Sequence, residues 1–169
     1  MRSLLKWRAT KSLLLPLALL AALIFPAAPA QAAWAAELPL NIQVLYYYYP
    51  SGSAQLGRVD GTVQFDDGGS ALRYNLTFCR QSSYSLPYMT INVNSYVIGG
   101  RKYATWITNI YPPYAGYSSS QPCYGQTGTV YGEFTYANFS NVEFLLYGST
   151  FVGSTFTTVS QDRIYYNPY

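Results

Sequence analysis

Apolar and polar side chains alternate with a period of two along much of this chain. The pattern is clearest over 71–79 (ALRYNLTFC), where Leu72, Tyr74, Leu76 and Phe78 share one face and Arg73, Asn75 and Thr77 the other. It recurs over 88–94 (YMTINVN), with Met89, Ile91 and Val93 set against Thr90, Asn92 and Asn94. A period of two marks a strand with one buried and one wet face. The β-branched and aromatic run 41–49 (NIQVLYYYY) reads as another strand, ended by Pro50 and Ser51-Gly52-Ser53. A strand over 58–65 follows, in which Asp60-Gly61 marks a bulge or a tight turn. Asp66-Asp67-Gly68-Gly69 predicts a hairpin turn, and Gly99-Gly100 predicts another between 96–98 and 101–107. Further strands are expected over 127–136, 142–147 and 150–159, with 163–166 closing the set.

No segment after the first thirty-odd residues has a helical period. Eight to ten strands at this spacing predict an all-β, antiparallel β-sandwich, jelly-roll-like or immunoglobulin-like. One stretch resists the pattern. Residues 111–125 (YPPYAGYSSSQPCYG) carry Pro112, Pro113 and Pro122, which exclude a central strand, and so read as a long loop without structure of its own.

The N-terminus is of another kind. Arg2, Lys6, Arg8 and Lys11 precede an apolar run over 12–25, and Ala28-Pro29-Ala30 and Ala30-Gln31-Ala32 offer small-x-small cleavage sites. That order predicts a secretory signal peptide over 1–32 and a single exported all-β domain over 33–169. The apolar run is short and interrupted by Pro16, and no second one follows, so the mature chain is expected to have no membrane span and to be secreted. The Ala-rich, Lys/Arg-led leader has a bacterial character. In a eukaryotic source, Asn75 and Asn138 would be glycosylation acceptors.

Removing the leader inverts the charge. The whole chain holds 10 basic and 7 acidic residues. The part after residue 32 keeps six basic residues, Arg58, Arg73, Arg80, Arg101, Lys102 and Arg163, against all seven acids, a net of −1. A basic footprint for nucleic acid is absent. Cys79 and Cys123 form an even pair in an exported segment, which predicts a disulfide closing a 44-residue loop. Metal ligation lacks supporting ligands, and a thiol nucleophile lacks a base, because the chain has no histidine. No cofactor is expected.

The same absence of histidine removes Ser-His-Asp and Cys-His catalysis. Asp66 and Asp67 read as turn residues, and Glu133 and Glu143 as single outward charges on a solvated strand face, rather than as a carboxylate dyad. A non-enzymatic role is therefore expected. Tyrosine is the distinctive resource, with all 19 lying after the leader. It is stiff and amphipathic, and with Ser, Gly and Asn it forms the vocabulary of antibody contact loops. In 46–49 it reads mainly as strand structure. In the Pro-broken segment, Tyr111, Tyr114, Tyr117 and Tyr124 are the candidate binding residues. The leading expectation is a secreted binding module for a glycan, a cell-wall polymer or a protein, including inhibition of a hydrolase. A self-associating surface protein and a small outer-membrane barrel are the alternatives.

Overall fold

The computed structural model describes residues 33–48, 50 and 52–169. The expected leader over 1–32 lies outside them, as does Tyr49 of the aromatic run. The described chain is all β. In order, the strands are β1 (Leu38–Tyr47), β2 (Ser53–Phe65), β3 (Ala71–Arg80), β4 (Tyr88–Ile98), β5 (Arg101–Ile110), β6 (Gly116–Ser120), β7 (Cys123–Thr135), β8 (Asn141–Val152) and β9 (Thr155–Tyr166). They form two antiparallel sheets, β1-β2-β3-β7-β6 and β5-β4-β8-β9. The inward faces are those the alternation marks. Leu72, Leu76 and Phe78 of β3, with Leu40, Ile42 and Val44 of β1, form one wall; Met89, Ile91 and Val93 of β4, with Val142, Phe144 and Leu146 of β8, form the other. The expected sandwich is thus the observed architecture. Cys79 and Cys123 are disulfide-bonded, with their Cα atoms 5.8 Å apart, which fastens the end of β3 to the start of β7.

Three local expectations change. Asp60-Gly61 is neither a bulge nor a turn: it lies in the middle of β2, paired to Asn41 and Leu40 on one side and to Thr77 and Leu76 on the other. Gly61 is there because the strands approach closely, since a Cβ would stand 2.0 Å from the Asn75 carbonyl oxygen. The irregularity falls instead at Leu56, which is skipped where Val44 pairs with Gly57 and Leu45 with Gln55.

Residues 142–166 form two long strands rather than three short ones. They pair from Asn141↔Tyr166 to Val152↔Thr155 and turn at Gly153-Ser154, with Gly153 at φ 62°. Gly148, in the gap between two expected strands, sits inside β8 because Leu56 of the facing sheet occupies the space of a side chain. Finally, 111–125 is not a structureless loop. It contains β6, a short edge strand on β7, and Pro122 occupies the turn between them. An edge strand lying off the core needs no apolar alternation, so its composition conceals it.

The sandwich has two ends. At one, the β2–β3 turn, the β7–β8 turn and the C-terminal residues meet: Tyr136 N–H donates to Ser70 C=O at 2.8 Å, and Asn167 Nδ2 donates to Gly69 C=O at 2.8 Å and to Phe139 C=O at 2.9 Å. At the other lie the β1–β2, β6–β7 and β8–β9 turns and the segment 81–87.

Candidate functional site

The second end is held together by main-chain and serine hydrogen bonds. Gln81 N–H donates to Leu56 C=O at 3.2 Å, Ser82 N–H to Gln55 C=O at 3.1 Å, and Tyr84 N–H to Ser149 C=O at 2.8 Å. Ser149 N–H donates to Ser83 Oγ at 2.9 Å, and Ser85 N–H to Ser149 Oγ at 2.9 Å. Arg80 acts as a staple. Its Nε donates to Ser83 C=O at 2.9 Å, Nη2 to Tyr84 C=O at 2.8 Å, and Nη1 to Gln126 Oε1 at 2.8 Å. A guanidinium used this way has its donors occupied by neutral oxygens and fixes the 81–87 segment to β7.

On this scaffold stands a cluster of exposed apolar rings. Tyr84, Phe151 and Phe156 meet edge to face, with centroids 4.7 Å, 5.6 Å and 6.2 Å apart, and Leu86 and Val152 of the same end are also exposed. On the outer face of the four-stranded sheet, Tyr88 stacks between Tyr147 at 4.8 Å and Tyr111 at 5.3 Å. Burial and the neighbouring Tyr147 and Tyr111 push the Tyr88 hydroxyl above its ordinary value.

The four tyrosines named from the sequence fall into three settings. Tyr117 and Tyr124 share one face of the β6–β7 hairpin, since Tyr117 pairs with Gln126 and Ser119 with Tyr124, and they are 74% and 52% exposed. Tyr111 is exposed but belongs to the Tyr88–Tyr147 stack. Tyr114 is different: it packs against the core and donates its hydroxyl to Pro87 C=O at 2.8 Å. Burial raises its pKa well above the ordinary 10.0, against a smaller opposing pull from Arg80. Tyr114 therefore anchors the connection between the sheets, while the other three rings are available for contact. Sequence reading passed over Tyr84, Leu86, Phe151 and Phe156. The available signals were Tyr84 within Gln81-Ser82-Ser83-Tyr84-Ser85 and the paired aromatics flanking Gly153-Ser154.

Several ionisable groups have structural partners. Asp66, buried in the β2–β3 turn, would be raised by burial, but it accepts Ala71 N–H at 2.6 Å, Ser70 N–H at 2.7 Å and Ser70 Oγ at 3.1 Å, and its pKa ends below the ordinary 3.8. Glu143 is not the outward, solvated charge expected of it. It is 1% exposed, accepts from Asn92 Nδ2 at 3.1 Å and ion-pairs with Lys102, which also meets Asp162 at 2.5 Å. The reason is long-range: Lys102, far away in sequence on the β4–β5 hairpin, covers a position that local alternation marks as outward. Among the described residues, no three His, Cys, Asp or Glu side chains are grouped to hold a metal ion, and no helix is long and apolar enough to cross a membrane.

Comparisons of the chain with protein families, with curated proteins and with solved structures return no match. The class defined by the fold is a single-disulfide, antiparallel β-sandwich.

Proposed function

We propose that this protein is a secreted, non-enzymatic binding module that grips a protein partner through the aromatic end of its sandwich. The observation that carries the reading is the exposed cluster of Tyr84, Phe151 and Phe156 at the end of the sandwich where the β6–β7 hairpin also displays Tyr117 and Tyr124. Hairpin tips and connecting segments at one end of a sandwich are a usual place to mount a contact surface on a rigid frame. Aromatic rings among serines, with the Arg80 donors engaged internally, resemble the core of a protein interface. The disulfide, the Arg80 staple and the Tyr114 anchor reduce the ordering cost of binding, which favours affinity without charge. Rings that meet edge to face suit a protein surface better than a sugar, which takes a flat ring beside free polar groups.

The test is capture from the medium around producing cells, with the protein immobilised as wild type, Tyr124→Ala and Phe151→Ala, and the retained material identified by mass spectrometry. The reading expects one protein retained by the wild type and weakened by about 1–2 kcal/mol in each variant. Retention indifferent to both substitutions overturns it. Retention of a polysaccharide alone replaces the protein partner with a glycan at this end.

A further inference from the structure

The outer face of the five-stranded sheet is unlike the aromatic end. Its polar residues fall in register as a grid: Gln64, Arg73 and Glu133 form one row, and Thr62, Asn75 and Tyr131 the next. Strand spacing of about 4.8 Å and a two-residue step of about 7 Å give these rows the dimensions of a sugar ring and its substituents. Glu37, Thr62, Gln64, Arg73, Asn75 and Tyr131 line an open depression of about 230 Å³ on this face. That is below the ~300–1,000 Å³ of pockets that enclose drug-sized ligands, and it suits one ring lying on an open surface.

Arg73 is positioned in advance. Its guanidinium carbon lies 4.4 Å from the centroid of the Trp34 ring, and its Nε donates to Gln64 Oε1 at 2.7 Å. Gln64 is itself held, donating through Nε2 to Ala35 C=O at 3.0 Å. The 33–35 segment that brings Trp34 there is fixed by Ala35 N–H to Phe65 C=O at 2.8 Å and by Asp67 N–H to Ala33 C=O at 2.9 Å. Among the described residues, the two terminal amino groups of Arg73 have no hydrogen-bond or ion-pair partner. A guanidinium clamped by an aromatic face and one amide keeps a planar fork free for adjacent acceptors.

We propose that this face is a second binding site, specific for one ring of a neutral saccharide. The Arg73 fork would donate to neighbouring hydroxyls. Glu37, Glu133 and the Asn75 amide would accept hydroxyl protons, and Tyr131, 69% exposed, would offer its ring to the C–H face of the sugar. The charges select neutrality: Glu37 and Glu133 beside one arginine oppose a uronate or phosphate, while a sugar hydroxyl both donates and accepts.

The experiment titrates the whole protein with neutral hexasaccharides of β-1,4-linked glucose, mannose, xylose and N-acetylglucosamine, with α-1,4-linked galacturonate as the anionic control. Resonances of the Trp34 indole and the Arg73 Nε–H are followed by NMR. At least one neutral hexamer is expected to shift both signals at millimolar concentration. Arg73→Lys, which keeps the charge and loses the fork, and Tyr131→Ala should each weaken that binding about tenfold or more with an unchanged melting temperature, and Tyr124→Ala should leave it intact. The proposal falls if no neutral hexamer moves either resonance, if galacturonate binds more tightly than every neutral hexamer, or if Tyr124→Ala abolishes binding that Arg73→Lys spares. The aromatic-end reading stands or falls separately, because its variants and its readout are different.

Discussion

The aromatic end and the outer face of the five-stranded sheet both display exposed tyrosines, yet they offer different chemistry. At the end, the rings of Tyr84, Phe151 and Phe156 engage one another, and Arg80 gives Nε, Nη1 and Nη2 to neighbouring oxygens. What remains for a partner is apolar area. On the sheet face, Tyr131 stands among polar groups, and Arg73 keeps its terminal nitrogens for something outside the chain. A tyrosine's role is thus set by the hydrogen-bonding state of its neighbours: where donors are satisfied, the ring is an apolar anchor, and where they are free, it is a platform beside a polar lock.

The disulfide offers the hardest way to break the contrast. Its 44-residue loop implies that Cys79→Ala with Cys123→Ala costs about 4 kcal/mol by loop-entropy reasoning, measured by urea unfolding. In protein that remains folded, hydrogen exchange should quicken over β6 and the start of β7 and stay slow at Arg73. Equal loosening of both regions would mean that the staple holds the whole sandwich rather than the end. Gly61→Ala strikes under the sheet face instead. Its Cβ would meet the Asn75 carbonyl oxygen at 2.0 Å, so a loss of roughly 2 kcal/mol or more is expected, together with displaced Asn75 and Thr62 resonances.

Lys102→Met removes the cation above Glu143, which is 1% exposed. Since Lys102 is itself partly exposed, the cost should be about 1–2 kcal/mol rather than the full penalty of a buried unpaired charge. Adding Glu143→Gln should recover part of it. Tyr117→Ala and Tyr124→Ala, by contrast, should change stability by less than about 0.5 kcal/mol, because both rings are exposed. A larger loss would recast them as packing residues.

Changes of pH act on the carboxylates and the tyrosines at opposite extremes. Asp66 and Asp162 have folded pKa values below the ordinary 3.8. For Asp162 the main cause is the hydrogen bond from Lys102, which outweighs the opposing effect of burial. Their stabilisation is complete above the unfolded value and is lost as pH falls through the folded values, so the melting temperature should drop below about pH 4. Tyr74, Tyr88 and Tyr114 are raised above 10.0, chiefly by burial. The stability they contribute is present below pH 10 and is lost as pH rises through their folded values. An ultraviolet titration of the tyrosines should therefore show a late, cooperative component that Tyr114→Phe diminishes.

Much of the fold was legible because burial and alternation coincide. Leu72 to Phe78 and Met89 to Val93 point inward as their period demands, and Asp66-Asp67-Gly68-Gly69 and Gly99-Gly100 turn where such residues turn. What stayed hidden depends on partners distant in sequence. Gly61 and Gly148 read as punctuation, whereas each lies inside a strand with a neighbour filling its side-chain space. Glu143 read as solvated because Lys102 is remote in sequence. The site was half visible: tyrosine density marked the β6–β7 region, but only the folded chain brings Tyr84 against Phe151 and separates Tyr114 from Tyr117 and Tyr124. Arg73 appeared as a polar member of an alternating strand, and its clamp by Trp34 lay beyond local pattern.

Whether a protein partner docks on the aromatic end and leaves the sheet face free can be decided by site-specific photocrosslinking. A photoreactive phenylalanine analogue replaces Tyr124 in one preparation and Tyr131 in another, and each is illuminated in the medium of producing cells. The account predicts a discrete protein adduct from position 124 and none from position 131. An adduct from 131, or no protein adduct from 124, would contradict it.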